Sequence, residues 1–500
     1  FLGVVLAAYW MVPRKLITAR VWLLVIASFH FYAAWNASLA LLVTVTTLAD
    51  YAFARAIEKC ERPRLRKLML FGSVGMNLGV LCYFKYRGFF LNELHSFVGK
   101  FGFDAGYQTL SPLDILVPFG ISFYTFIQIG YLIEAHNGQV EKHSFGQYVL
   151  FATFLPCITA GPLVLQREMF SQMSDRSDHA FDARRLAVGL TLFAIGLFKK
   201  VVLADAIAPY ANTMFDGIKA GMDVDQVTAW VGSLCYTLQL YFDFSGYSDM
   251  ALGLGLVFGL RLPLNFNSPF KATNISEFWR RWHMTMTRFF TGFIYTPLAM
   301  RGMHRVMHAR GGPVARFVAA AAMPAVVTFL VAGIWHGDGF TFIVYGLIHG
   351  FAIATYLAWR ELGLPKLPTP LAWLVTMSVV VSGLVVFRSE SMGQALTVLG
   401  NMWMPSLLPP LDMALTVRID LRMATSFIIV LGAVVLLLPN VQQILHHDWI
   451  SSDMQPPETA EEAGLVVWRP ALVPSLMLAL VACAALASIG ATSTFLYYQF

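Results

Sequence analysis

The chain has 500 residues, of which 57% are hydrophobic and only 13% are charged, about half of the roughly 25% that soluble domains carry. So little polar surface cannot cover a water-soluble globule, and apolar stretches along the whole chain exclude a protein held by a single membrane anchor. The formal net charge of +6 is first a signal of membrane topology and only weakly one of anionic partners. The composition predicts an all-α polytopic membrane protein.

Apolar segments follow one another from one end of the chain to the other, and no internal repeat relates them. At about 20 residues per crossing, they predict roughly 11–13 hydrophobic helices in a single transmembrane domain over residues 1–500. A transporter built from inverted repeats has no support in this pattern. The segments lie near 1–12, 21–48, 68–84, 115–133, 146–165, 186–206, 227–258, 284–300, 317–335, 340–359, 371–388, 424–439 and 470–490.

The chain begins at Phe1 rather than at a methionine, so we expect a short N-terminal stretch to be missing. The run 1–12 has no cleavage-site pattern and is interpreted as part of a transmembrane helix, not as a signal peptide. The segment 21–48 is long enough for one tilted helix or two short ones. Five widely spaced cysteines without a Cys-X-X-Cys pair predict neither a disulfide framework nor a thiolate metal site.

Charge in the loops predicts which side of the membrane they occupy. Basic residues are concentrated at 52–67 and 261–316, whereas 440–468 contains no Lys or Arg. The positive-inside rule therefore places the first two in the cytoplasm and the last outside. Simple alternation would put the arginine-containing loop 166–185 outside. The prolines just before it, within 154–162, predict a broken or re-entrant helix, which is tolerated only where it is buried in protein or lines a wet cavity.

Two acidic residues, Asp243 and Asp249, lie within one apolar run. A structural role, either capping a helix that is broken at 245–246 or pairing with a nearby arginine, is favoured over direct catalysis. The two lysines at 199–200 end an apolar segment and are interpreted as an anchor that extends to the cytoplasmic surface.

Arginines alternate with large aromatic residues in NISEFWRRWH at 274–283, next to an apolar segment. One explanation is an interfacial anchor, because Trp and Arg are enriched at membrane surfaces. The other is a cationic mouth for a phosphorylated donor such as the diphosphate of coenzyme A, with Arg280, Arg281 and Trp282 as candidate contacts.

The strongest chemical signal is His336, within GIWHGDGF at 333–340 and between two apolar segments. An ionisable residue in such a place is a functional candidate, and an imidazole suits a general base that takes a proton from a hydroxyl. The alternative is a neutral histidine that holds helices together. A metal site shared with His349, 13 residues later, is less favoured because that is not the spacing of a helical ligand pair and no HExxH motif is present. Gly333 and Gly337 permit close approach of a backbone or a thin ligand.

Seven stretches in different parts of the chain form a combined pattern. They are PFGISFYTF at 118–126, AGP at 160–162, GLFKK at 196–200, YFDFSGYSD at 241–249, FWRRWH at 278–283, GIWHG at 333–337 and YYQF at 497–500. Taken together, they resemble the membrane-bound O-acyltransferase (MBOAT) family, in particular its bacterial alginate O-acetylation branch. In order, they cover nearly the whole chain, which makes the resemblance specific.

The resemblance implies roles for three histidines. His336 matches the family's membrane-embedded histidine, which is taken to be essential for transfer, and His283 matches a second recurring histidine. His349 matches a further, less decisive position. The predicted substrate-binding residues are Arg280, Arg281, Trp282, Trp335, Asp338 and His349. Asp338 stands where this branch commonly has a small apolar residue, and its carboxylate would favour a protonated His336 or contact the acceptor.

The implied function is an inner-membrane O-acyltransferase, most simply an acetyltransferase, of the bacterial cell envelope. Acetyl-coenzyme A would bind at the basic cytoplasmic face and reach along a central acyl-transfer tunnel to His336. No metal and no tightly bound cofactor are expected. The implied partners are an envelope polysaccharide or peptidoglycan acceptor, a periplasmic acetyltransferase of the SGNH-hydrolase type and the lipid bilayer, but no nucleic acid. The alternative is an exporter of an envelope precursor, with His336 and Asp243 as a proton relay.

Overall fold

The computed structural model describes residues 1–99, 118, 120–159, 161–174, 181–404, 416–445, 450–452, 471–490 and 496. Within them, the secondary structure is α-helical, with short 3₁₀ and π-helical turns and one isolated β-bridge between Asp223 and Thr416. The predicted all-α class is confirmed. The terminal motif at 497–500 and much of the predicted external loop 440–468 lie outside the described residues.

The first half of the chain forms helices α1 (Leu2–Met11), α2 (Ile17–Trp35), α3 (Ala37–Lys59), α4 (Pro63–Leu81), α5 (Arg87–Gly99), α6 (Ile121–Asn137), α7 (Phe145–Thr153), α8 (Leu155–Ile158), α9 (Gln166–Ser174), α10 (Ala183–Phe198), α11 (Asp205–Lys219) and α12 (Gln226–Val257). The second half forms α13 (Ile275–Arg281), α14 (Met284–Phe290), α15 (Thr296–His308), α16 (Pro313–Phe317), α17 (Met323–His336), α18 (Phe340–Glu361), α19 (Thr369–Arg388), α20 (Met392–Trp403), α21 (Leu421–Leu437), α22 (Val441–Ile444) and α23 (Leu472–Ala487).

Seven helical stretches of the described chain are long and apolar enough to cross a membrane, which supports a multi-pass membrane protein. Some consist of two α-helices joined by a π-helical turn, such as Lys199–Ala204 between α10 and α11. Shorter apolar helices occur at Leu2–Met11, Leu421–Leu437 and Val473–Ala487. The seven stretches are Arg14–Trp35, Ala37–Lys59, Pro63–Leu94, Ala183–Lys219, Pro313–His336, Phe340–Glu361 and Thr369–Arg388.

Local sequence explains two helix boundaries. The long apolar segment 21–48 divides into α2 and α3 at Asn36, whose side chain caps α3 by accepting a hydrogen bond from the N–H of Leu39. The predicted interruption at 154–162 is confirmed, because α7 ends at Thr153 and only the single turn α8 follows. Proline lacks the N–H that a continuing helix needs, so Pro156 occurs in the first turn of α8.

The expected break at 245–246 is wrong, since Ser245 and Gly246 lie inside the continuous helix α12. The glycine serves close packing instead: a methyl group at this position would lie 2.6 Å from the carbonyl oxygen of Gly196. α12 is thereby able to approach the end of α10 closely.

The lysines at 199–200 do not extend to a surface, and the acidic residues of α12 pair with them rather than with arginine. Lys199 Nζ lies 2.6 Å from Asp249 Oδ2, and Lys200 Nζ lies 2.7 Å from Asp243 Oδ1. All four side chains are largely buried. Pairing is what makes burial of such charges tolerable, since an unpaired ion in an apolar interior would be strongly destabilising.

The chain forms two compact units. The first comprises Phe1–Phe193, Met250–Leu264 and His447–Pro456, and the second comprises Ala194–Asp249, Asn265–His446 and Pro457–Phe500. All the predicted site residues belong to the second unit.

The first unit contains a buried polar network that the sequence analysis did not identify. Asp50 on α3 is fully buried and accepts a hydrogen bond from Asn77 Nδ2 on α4 at 2.7 Å. The hydroxyl of Tyr124 on α6 lies 2.9 Å from Thr46 Oγ1 and 3.0 Å from Thr47 Oγ1. These contacts link three helices by directional bonds inside an otherwise apolar interior.

Candidate functional site

Helices α17 and α18 hold His336 at a tightly packed helix end. α17 stops at His336 because the next residue, Gly337, has an extended backbone (φ −165°, ψ 175°). A methyl group at Gly333 would collide with the carbonyl oxygen of Phe342 and lie 2.9 Å from Gly346 Cα. Another backbone therefore approaches closely at Gly333, as predicted, whereas the neighbour of Gly337 is the side chain of Phe342.

Aromatic rings surround His336, which is only 6% exposed. Its ring centroid lies 4.8 Å from that of Trp335, 5.0 Å from that of Phe387 and 5.9 Å from that of Tyr345. Such a setting keeps water away from the imidazole. A proton transfer there would take place in an environment of low polarity.

His349 lies on α18, four residues after Tyr345, and is also buried. Its Nδ1 accepts a hydrogen bond from Trp279 Nε1 at 3.3 Å, and its ring centroid lies 4.8 Å from that of Tyr345. A methyl group at Gly383 would lie 2.5 Å from His349 Nε2, so α19 approaches this nitrogen closely. Because the indole donates to Nδ1, the neutral ring carries its proton on Nε2.

His283 occupies the turn between α13 and α14 with a left-handed backbone (φ 44°). Its Nδ1 lies 2.9 Å from Asn265 Oδ1, an oxygen that also accepts a hydrogen bond from the Thr285 hydroxyl at 3.0 Å. The amide Nδ2 of Asn265 donates to Ser248 Oγ at 3.1 Å, which identifies Oδ1 as the acceptor that faces the ring. The imidazole therefore donates from Nδ1 and keeps Nε2 as its acceptor nitrogen.

Burial lowers the pKa of His283 to about 3, because an imidazolium loses its hydration there. The ring is neutral at physiological pH. It can accept a hydrogen bond through Nε2, but it does not supply a permanent positive charge.

Trp335 lies between two of the histidines. Its ring centroid is 6.2 Å from that of His283 and 4.8 Å from that of His336. Tyr345 connects His336 with His349 in the same way. We refer to His283, Trp335, His336, Tyr345 and His349 as the histidine cluster. The structure thus brings together all three predicted histidines and Trp335.

The arginine-aromatic motif is divided between surface and interior. Arg280 is exposed, whereas Trp282 is buried and stacks on Phe278 with ring centroids 5.6 Å apart. Arg281 Nη2 lies 2.8 Å from Glu277 Oε1. Burial acts to raise the pKa of Glu277, but hydrogen bonds from Thr273 and Arg281 bring it below its usual value. The charge of Arg281 is therefore compensated within the protein, and Arg280 is the arginine of this motif that faces outward.

Asp338 is exposed in the turn after His336, which is buried. Asp243, the other member of the exporter's predicted relay, is engaged by Lys200 and by the N–H of Leu496, which donates to Oδ2 at 3.0 Å. In the part of the chain that is described, no group of three or more His, Cys, Asp or Glu side chains is arranged to hold a metal ion.

Asn265, Tyr345 and Phe387 are site residues that sequence reasoning missed. Asn265 lies in the run PLNFNSPF at 263–270, where two asparagines among apolar and aromatic residues were the available signal. Nothing local indicated that this amide faces a histidine 18 residues away.

Comparison with known proteins identifies the family. The profile of the family described as MBOAT, membrane-bound O-acyltransferase family, matches residues 76–387, more than half of the chain and a range that includes the whole histidine cluster. The chain belongs to this family. The predicted resemblance is confirmed, and the protein is an O-acyltransferase, a class that takes the place of the exporter alternative.

Similar proteins extend the match beyond the profile. This MBOAT chain is 36% identical to the peptidoglycan O-acetyltransferase of Helicobacter pylori, over 80% of the chain and 76% of that protein. It is also 36% identical to the probable alginate O-acetylase AlgI of Pseudomonas aeruginosa, over 78% and 71%. A more distant relative is the teichoic acid D-alanyltransferase of Streptococcus thermophilus, 27% identical over 48% of the chain and 57% of that protein.

Proposed function

We propose that this MBOAT protein is an O-acetyltransferase of the bacterial inner membrane, with residues 1–500 acting as one transmembrane domain. It takes acetyl groups from cytoplasmic acetyl-coenzyme A and delivers them for O-acetylation of a cell-envelope polysaccharide or peptidoglycan. The names of its relatives support the transferred group and the acceptor class, since a peptidoglycan O-acetyltransferase and an alginate O-acetylase are each similar over more than three quarters of the chain.

His336 is the general base in this proposal, and its burial at the end of α17 within the histidine cluster is the observation that carries the assignment. The imidazole takes the proton of the acceptor hydroxyl as the oxygen attacks the thioester carbonyl. The carbon–sulfur bond then breaks, and the proton passes to the thiolate of coenzyme A. The aromatic rings around His336 exclude water, which would otherwise compete with the acceptor hydroxyl and hydrolyse the thioester.

His283 supports the donor end or the proton path. Its neutral ring and its fixed Nδ1–Asn265 hydrogen bond suit a group that accepts through Nε2. His349 is held by Trp279 and α19 and acts as a positioning residue. Trp335 and Asp338 contact substrate on either side of His336.

The donor binds at the basic cytoplasmic face. Arg280 is exposed and contacts a phosphate of coenzyme A. Arg281 is paired with Glu277, and Trp282 packs in the interior, so both support the donor-binding surface from within the protein. The thioester reaches the cluster along a tunnel. No metal and no tightly bound cofactor take part, and a periplasmic acetyltransferase of the SGNH-hydrolase type receives the acetyl group.

The test compares envelope O-acetyl content in a deletion strain complemented with wild type, His336→Ala or His30→Ala. His30 is exposed and lies in the other unit, so its variant is a matched control. Loss of a general base lowers a rate by on the order of 10²–10⁴-fold. We therefore expect wild type and His30→Ala to restore acetylation and His336→Ala to leave it at background, at equal membrane levels. Full restoration by His336→Ala would contradict the assignment, and fractionation of the envelope would identify the acceptor.

A further inference from the structure

Helix α15 (Thr296–His308) exposes two different faces side by side. Residues three or four positions apart share one face of a helix, and Met300, Met303 and Met307 form an apolar stripe with exposures of 68%, 37% and 66%. Arg301 and Arg305 form the adjacent face and are exposed. A helix with this pattern fits neither a dry interior nor bulk water.

The third face of α15 holds the helix against the rest of its unit. Gly302 is buried on the π-helical turn Val318–Ala322, and a methyl group there would collide with the carbonyl oxygen of Ala319. The turn that follows α15 leads directly into Pro313–His336, one of the stretches able to cross the membrane. α15 is therefore attached at one end of a membrane-crossing helix.

Positive charge predominates in the sequence around α15. Residues 278–337 contain seven arginines and no Asp, Glu or Lys. Arg301, Arg305 and Arg310 form no ion pair with any residue that the structure describes. Basic residues in this stretch lie on the predicted cytoplasmic side, where the membrane surface is negative.

We propose that α15 is a binding site for anionic phospholipid of the cytoplasmic leaflet. The methionine stripe lies among the upper acyl chains, and Arg301 and Arg305 bind the phosphate groups, with Arg310 in the following turn beside them. This is the arrangement of an amphipathic helix lying in the plane of a membrane surface. The lipid is favoured over an acidic protein because the exposed apolar stripe lies next to the basic face and the helix is joined to a membrane-crossing segment.

The experiment measures lipid binding to the purified full chain by native mass spectrometry, with phosphatidylglycerol and phosphatidylcholine titrated separately. The variant is Arg301→Gln/Arg305→Gln. The matched control, Arg360→Gln/Lys366→Gln, removes the same charge from two exposed residues at and beyond the end of α18. Each basic residue at a membrane surface contributes about fivefold to binding of anionic lipid. We expect the preference for phosphatidylglycerol to fall on the order of tenfold in the variant and to stay unchanged in the control.

Equal binding by wild type and variant, or an equal loss in the control, would overturn the proposal and leave an acidic protein as the partner for this face. Competition by free glycerol phosphate as strong as that by phosphatidylglycerol would also overturn it, since the site would then bind a soluble phosphate ester. If the double variant fails to fold, raising the salt concentration with wild-type protein must weaken phosphatidylglycerol binding selectively. Lipid binding is measured without acyl transfer, so the outcome is independent of the role of His336.

Discussion

An amide, rather than a carboxylate, orients the ring of His283. Asn265 Oδ1 faces Nδ1 of the imidazole, while the other end of the amide is fixed by Ser248. A neutral partner settles the tautomer without adding a charge that would favour imidazolium. This agrees with a histidine whose pKa burial has lowered to about 3.

Replacing this amide tests the arrangement directly. In Asn265→Ala the neutral ring samples both tautomers, and we expect kcat for acyl transfer to fall on the order of 10–100-fold, as when a supporting hydrogen bond to a functional histidine is removed. Asn265→Asp, which keeps an acceptor oxygen opposite Nδ1, should recover part of the loss. Asn401→Ala is the control, because that amide donates to Thr397 within its own helix. Wild-type kcat in Asn265→Ala would refute a functional role for the His283 tautomer.

At the scale of elements, the α17–α18 pair depends on glycines that let two backbones approach. Gly333 faces Phe342 and Gly346, and Gly346 in turn faces the backbone of Phe329 and Leu330. Because these contacts are with backbone atoms, a larger side chain cannot be accommodated by a change of rotamer. The position of His336 at the end of α17 is therefore coupled to the packing of both helices.

Gly346→Ala should force α17 and α18 apart. Insertion of a methyl group into a well-packed interior costs about 1–3 kcal/mol, so we expect a lower Tm in detergent together with reduced acyl transfer. Gly432→Ala on α21 is the matched control, since its added methyl meets nothing within 4 Å and alanine favours a helix over glycine by up to about 1 kcal/mol. If Gly346→Ala were as stable as Gly432→Ala, backbone packing would not be what fixes His336.

For the whole molecule, the uneven distribution of Lys and Arg predicts how the chain is oriented in the membrane. The basic loop 52–67 contains Cys60, and the loop 440–468 lacks basic residues. The positive-inside rule applies to short loops next to apolar helices. The first loop lies between α3 and α4, and the second lies between the apolar helices α21 and α23. The two loops are expected on opposite sides of the membrane.

Single-cysteine proteins test this orientation with a membrane-impermeant maleimide in intact spheroplasts. We expect Glu458→Cys, with the five native cysteines replaced by alanine, to be labelled without permeabilisation of the membrane. A protein that retains only Cys60 should be labelled only after the membrane is permeabilised. A cysteine-free protein is the background control. Labelling of both positions from the same side would contradict the predicted topology.

The sequence alone determined the helical class, the positions of most membrane-crossing segments and the interruption at Pro156. A bilayer requires about 20 apolar residues per crossing and internal pairing of every backbone polar group, so composition over a short window is enough to predict these features. His336 was visible as a chemical candidate because an ionisable residue is conspicuous in apolar surroundings, whereas the role expected of His283 came from the family resemblance.

The tertiary structure decided which of these residues meet and what each side chain does there. Lys199 pairs with Asp249 across 50 residues, and Trp279 donates to His349 across 70. α12 packs closely against Gly196 at Gly246, and Arg281 forms an ion pair with Glu277. Such outcomes depend on which helix faces pack together, and local periodicity carries no information about a partner so far away in the chain.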